Sequence, residues 1–210
     1  MTDTQKTATC LWFEHEAEEA ADFYVSIFPD SRVEHEVRSH ADWPDGKVGD
    51  VVAVGFVLMG QRYQALNGGP NEPFNDRVSL VVTCEDQAEI DHYWKALTAD
   101  GGEPVMCGWL KDRYGASWQV VPIVLIELIT DPDYEKSRKV MAAMLQMKKI
   151  DIEGLKRAYA GWRSAGRMAG GAAQPVEGSR WRGDADRKER PNGYRLAARL
   201  DAPPRATHRR

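Results

Sequence analysis

Thr7 to Phe13 is a short run dense in apolar side chains, the mark of a strand. After it Ala17, Ala20, Ala21, Phe23, Tyr24, Ile27 and Phe28 recur at three- and four-residue spacing until Pro29 ends the pattern, which predicts a helix. Arg32 to Ser39 then alternates polar and apolar residues, Asp50 to Leu58 is β-branched and apolar, and Gln61 to Leu66 follows a Met59-Gly60 turn. One strand, one helix and three strands are therefore expected in the first third of the chain.

The same order begins again at Arg77 to Cys84. Asp86 is placed to cap a second helix, with Glu89 three residues on as its capping-box partner, and strands are expected near Glu103 to Leu110 and Ala116 to Val121. At an offset of 70 residues Leu11 meets Val81, Glu19 meets Glu89, Phe23-Tyr24 meets Tyr93-Trp94 and Ile27 meets Leu97, as in a duplicated unit. The offset then falls to 55, where Gly60 to Gln64 meets Gly115 to Gln119, each a glycine turn followed by aromatic-Gln. The second copy lacks a stretch corresponding to Ala41 to Gly49. Beyond it, Pro122 to Ile129 reads as a short buried helix. Asp131-Pro132 reads as a cap with proline at the first helical position, and Asp151 as the cap of a last helix ending at Gly161.

The 210 residues suit one domain at 1–162, with modules at about 6–70 and 75–122 and C-terminal helices at 122–162, followed by a separate tail at 163–210. Charge sharpens that division: residues 1–162 hold 16 Lys and Arg against 27 Asp and Glu, residues 163–210 hold 12 against 5. The tail is rich in Gly, Arg, Pro and Ala and poor in large aliphatics, so disorder is expected there. The acidic body argues against a nucleic-acid face on the folded part, leaving only the basic tail for such a contact. Cys10, Cys84 and Cys107 are widely spaced and odd in number, which points to reduced thiols. With no signal-peptide pattern in Met1 to Cys10 and no apolar stretch of membrane-spanning length, a soluble, cytoplasmic protein is expected.

Several stretches together resemble the PhnB-like branch of the vicinal oxygen chelate superfamily, the group of glyoxalase, bleomycin-resistance and dihydroxybiphenyl dioxygenase folds. They are Leu11-Trp12-Phe13, Ala17 to Ala20, Phe23-Tyr24, Ala65 to Pro70, Cys107 to Asp112, Tyr114-Gly115, Ser117-Trp118-Gln119 and Pro122. Members of this branch are often labelled 3-demethylubiquinone-9 3-methyltransferase-like. The resemblance covers about residues 6 to 162 and implies an α+β fold: two βαβββ modules joined in a curved mixed-sheet half-barrel around a pocket, commonly within a homodimer. At the entrance of the first helix Glu14-His15-Glu16 replaces the turn usual in the branch.

Metal-using members of the superfamily place His or Glu on paired strands of the two modules, where several such ligands can converge on a divalent ion. The nearest positions here carry Thr9, Gln64, Ser79 and Gln119, all neutral and weak ligands, so no metal site and no cofactor are expected. His15-Glu16-Ala17-Glu18-Glu19 lacks the second histidine of a zinc helix and reads as an acidic helix start. What the expected pocket offers is amide, hydroxyl, thiol and indole, from Asn67, Ser79, Cys107, Trp109, Trp118 and Gln119. Such groups suit a flat or carbonyl-bearing ligand held by stacking and hydrogen bonds, although each also has an ordinary structural use. Cys107 has no histidine near it in sequence, and His92 reads as a helix-surface residue. No G-x-G loop of a Rossmann-type methyltransferase is present. The expectation is a metal-independent protein that binds or modifies a small molecule. The alternatives are a lyase, isomerase or methyltransferase acting on a small oxygenated or aromatic substrate, and a drug-sequestering protein that binds without turnover.

Overall fold

The computed structural model describes residues 5–161. The first module consists of β1 (Thr9–Phe13), α1 (Ala17–Ile27), β2 (Arg32–Arg38), β3 (Val51–Leu58) and β4 (Gln61–Asn67). The second consists of β5 (Leu80–Cys84), α2 (Gln87–Leu97), β6 (Glu103–Pro104), β7 (Trp109–Lys111) and β8 (Ser117–Pro122). Each forms a four-stranded sheet of the same topology, β1-β4-β3-β2 and β5-β8-β7-β6, in which the first and last strands run parallel. The duplication inferred from the two offsets is thus a duplication of topology.

α1 lies close against its sheet because Ala17, Ala20 and Ala21, all fully buried, leave no side-chain bulk between helix and strands. Tyr24 and Ile27 continue the buried stripe, against Phe56 among others. α2 repeats the plan with Ile90, Tyr93 and Leu97, and it begins as expected: the Asp86 carboxylate accepts the Glu89 amide at 3.0 Å.

The two sheets do not join into one curved half-barrel. Each is an open sheet of four strands, and no strand of one is hydrogen-bonded to a strand of the other. The modules meet instead through side chains. The Tyr24 hydroxyl donates to Asp112 at 2.7 Å, the Phe28 ring stacks on Trp118 and Tyr93, and His92 Nε2 lies 3.1 Å from the Ile27 carbonyl oxygen. Helix α1 therefore has a second buried side, facing the other module. Side-chain packing of this kind satisfies the apolar surfaces without a shared ladder, so β1 and β5 remain edge strands.

Three further differences are local. The expected strand at 103–110 is interrupted because Cys107 and Gly108 take positive φ and give their amides to the Met147 and Lys148 carbonyls. The third helix, α3 (Ile123–Ile129), buries only Leu125 fully, and Ile123 and Ile126 face outward. The fourth, α4 (Tyr134–Met144), is capped by Asp133, which accepts the Glu135 and Lys136 amides; Asp131 instead accepts the Tyr159 hydroxyl from α5 (Ile152–Tyr159). These helices pack on one another, and Val140, Ile150 in the connection between them, and Leu155 are fully buried. Gln87 adds polar contacts to the Ile150 carbonyl and the Ile152 amide. Among the described residues no helix is long and apolar enough to cross a membrane. The tail at 163–210, for which disorder is expected, lies outside the described residues.

Candidate functional site

The segment between the modules, 68–79, runs beside β1 and the start of β5 and roofs a groove. Its two compartments, of about 410 and 330 Å³, share Trp12 and Asn71 to Phe74 as common lining. One end is lined by Phe13, Glu14, Glu16, Arg113 and Tyr114, the other by Thr9, Cys10, Val78, Ser79 and Ser117.

Trp12 is the centre of this groove. On β1 its neighbours Leu11 and Phe13 point into the core, so strand alternation turns the indole outward, where it stays 41% exposed. It is nevertheless fixed. Its Nε1 donates to the Gly69 carbonyl at 2.9 Å, and the ring lies so close over Gly68 that a Cβ there would sit 2.2 Å from it. Gly69, at φ +74°, turns the chain to bring that carbonyl into place. The Gly68-Gly69 pair is therefore the seat of an exposed aromatic face, which loses little conformational freedom on meeting a ligand.

Of the six pocket residues expected from sequence, Ser79 alone lines the groove. Gln119 donates from Nε2 to its hydroxyl oxygen at 2.8 Å, which leaves the Ser79 O–H as a donor for a ligand acceptor. Trp109 pairs with Gln119 across β7 and β8 and stands on the same open face of the second sheet. Cys107 lies in the turn before β7, half-buried and outside the groove; burial pushes its thiol upward, away from the reactive thiolate. Trp118 is a core residue, 2% exposed, whose Nε1 donates to Asp112 at 2.7 Å. Asn67 lines a separate hollow with His15 and Trp43, and its amide is bonded to the scaffold. Its Oδ1 accepts the Ala17 amide at 2.8 Å and its Nδ2 donates to the Val51 carbonyl at 2.9 Å. Because Glu16 makes no side-chain cap, Asn67 supplies from fifty residues away the acceptor that a helix start requires.

Thr9 lines the groove, but Gln64 does not: it pairs in register with Cys10 and lies in a separate hollow with His35 and Arg62. His35 was not singled out in sequence, yet its ring covers Gly55 so closely that any side chain there would collide with it. Trp12, Asn71 and Phe74 were also missed. A tryptophan at the outward position of an edge strand, and a phenylalanine in a polar connecting segment, were the available signals. Among the described residues no three His, Cys, Asp or Glu side chains come together as a metal-binding group. The groove lining contains no histidine, and burial raises the pKa of the Cys10 thiol, away from the reactive thiolate.

Residues 5–121, more than half of the chain, match the family described as 3-demethylubiquinone-9 3-methyltransferase. Among solved structures, a PhnB protein from Bacillus cereus is 37% identical, with a TM-score of 0.51 over 56% of this chain and 99% of that one. A protein from Pseudomonas aeruginosa is 20% identical, with a TM-score of 0.47 over 57% and 98%. No curated protein gives a significant match. The sequence match to 5–121, together with the repeated strand-helix-strand topology, establishes that the chain belongs to the 3-demethylubiquinone-9 3-methyltransferase family, in the PhnB-like branch of the vicinal oxygen chelate superfamily.

Proposed function

We propose that the protein binds a small planar ligand in the groove beside Trp12, without a metal ion and without covalent catalysis. The observation that carries this reading is the fixed, exposed indole held by Gly68 and Gly69 where the two compartments meet. Stacking on such a ring recovers apolar and π contact at little entropic cost, and Phe74 supplies a second aromatic surface. Ser79, positioned by Gln119, donates to a carbonyl or similar acceptor on the ligand; Thr9 and Asn71 add neutral polar contacts. In this reading Trp109 and Gln119 support the groove from the second sheet, while Asn67, Trp118 and Cys107 serve the scaffold. Metal independence is supported by the neutral residues at the positions nearest the superfamily's ligands. Binding is favoured over methyl transfer because neither sheet is the doubly wound parallel type that holds a methyl donor at its carboxyl edge. Homodimerisation is part of the proposal, with Ile123 and Ile126 of α3 as exposed apolar surface for it.

The test is titration calorimetry with coumarin, an unreactive planar carbonyl compound. Trp12→Ala is expected to abolish its binding, and Cys107→Ala, outside the groove, to leave it within about twofold. Equal binding by wild type and Trp12→Ala would remove the groove from consideration.

A further inference from the structure

The compartment at the α1 end of the groove has a chemistry of its own. Four aromatic rings line it, from Trp12, Phe13, Phe74 and Tyr114, and three carboxylates, Glu14, Glu16 and Glu72, share the lining. Three of the rings are in contact: Phe13 meets Phe74 edge-on at 5.7 Å and Tyr114 at 5.6 Å between centroids. Tyr114 is held further by a 3.0 Å hydrogen bond from its hydroxyl to Glu19. This wall is built before any ligand arrives.

The charges do not balance within the site. Among the described residues no Lys, Arg or His forms an ion pair with Glu14, Glu16 or Glu72. The one cation in the lining, Arg113, is engaged through part of its guanidinium only, since its buried Nε has no hydrogen-bond partner. It pairs with Asp100, and its guanidinium lies 4.2 Å over the Phe23 ring. A ligand entering this compartment therefore meets aromatic faces, which attract cations through their quadrupoles, and carboxylates whose charge is unmatched. An anionic ligand would face repulsion from all three.

We infer that the ligand of this groove is an organic cation: a planar or aromatic molecule carrying a protonated amine or a quaternary ammonium group, with the charge seated beside the partly exposed rings of Trp12, Phe74 and Tyr114. The inference rests on the planar-ligand reading and adds the sign of the charge. Stacking at Trp12 holds the flat part, and Glu14, Glu16 and Glu72 select the cation.

The test uses the full chain and two probes of nearly the same shape, N-methylquinolinium and 2-methylquinoline, the second at a pH where it is neutral. Calorimetric titrations are run with wild type, Trp12→Ala and the combined variant Glu14→Gln, Glu16→Gln, Glu72→Gln, with circular dichroism confirming that each is folded. The expected result is binding of the cation about tenfold tighter than of its neutral counterpart, shrinking to about twofold in the Gln variant and at high salt, as exposed charge pairs require. Trp12→Ala loses both probes. If both probes bind wild type equally and both are lost in Trp12→Ala, the cation inference fails while the planar-ligand reading stands. If Trp12→Ala binds as wild type does, or neither probe binds, both fail.

Discussion

Asp112 shows how much a single side chain does in this fold. It is 2% exposed, and its two oxygens accept four donors: the Tyr24 hydroxyl and Trp118 indole at 2.7 Å, and the Tyr114 and Ala116 amides at 2.9 and 3.0 Å. Two of these shape the turn before β8, one anchors β8 itself, and the fourth reaches across to α1. Burial nonetheless pushes the carboxyl above its ordinary range, with all four hydrogen bonds pulling it back. Replacing it by Asn turns an N–H toward groups that are themselves donors, so Asp112→Asn is expected to cost about 2 kcal/mol in urea unfolding at neutral pH. The pH dependence follows from the sign of the shift. A carboxyl with a raised pKa in the folded state costs stability above that pKa, and the cost is relieved as pH falls through it toward the unfolded value near about 3.9. The stability difference between wild type and Asp112→Asn should therefore widen in favour of wild type as pH falls over that interval. A constant difference would contradict the raised pKa. Asp112 stands in the turn between β7 and β8, and its partner Tyr24 is 88 residues away and leaves no local trace in the sequence.

At the scale of elements, two devices join distant segments. Asn67, at the end of β4, caps α1. Asn67→Ala removes the acceptor of the Ala17 amide and the donor to the Val51 carbonyl, and should lower stability by about 1–2 kcal/mol, read by chemical denaturation. A loss below 0.5 kcal/mol, on the order of a neutral surface change, would show that water replaces the cap. Gln87 on α2 ties down the segment that precedes α5, so Gln87→Ala should speed hydrogen exchange at Ile152 and its neighbours while the amides of β3 keep their protection. The helices and most strands were legible in sequence because a stripe of apolar residues repeats with the period of the element. β1 shows this plainly, while β3 was legible as a continuous β-branched and apolar run, buried almost throughout. The strand expected at 103–110 failed because Cys107 has no glycine-like signature for its left-handed conformation, and the amides that stabilise the break bond to residues 147 and 148. The capping role of Asn67 was hidden for the same reason: an amide before Gly68-Gly69 lines a hollow with His15 and Trp43, and nothing local signals that it also reaches the start of a helix.

For the molecule as a whole, the duplicated topology could be read from two offsets, since each module repeats its own local pattern. The way the modules meet could not, because rings such as Phe28 and Trp118 pack across an interval that no periodicity spans. The half-barrel implied by resemblance gives way to two open sheets joined by side chains, and the groove beside the connecting segment becomes the place for a ligand. The measurement that bears most directly on this account is native mass spectrometry of the purified full-length protein, with bound species retained, beside the Trp12→Ala variant. The account predicts a metal-free protein that carries a small organic adduct and loses it in Trp12→Ala. A stoichiometric divalent ion on the wild-type protein, or an adduct unaffected by the substitution, would contradict it.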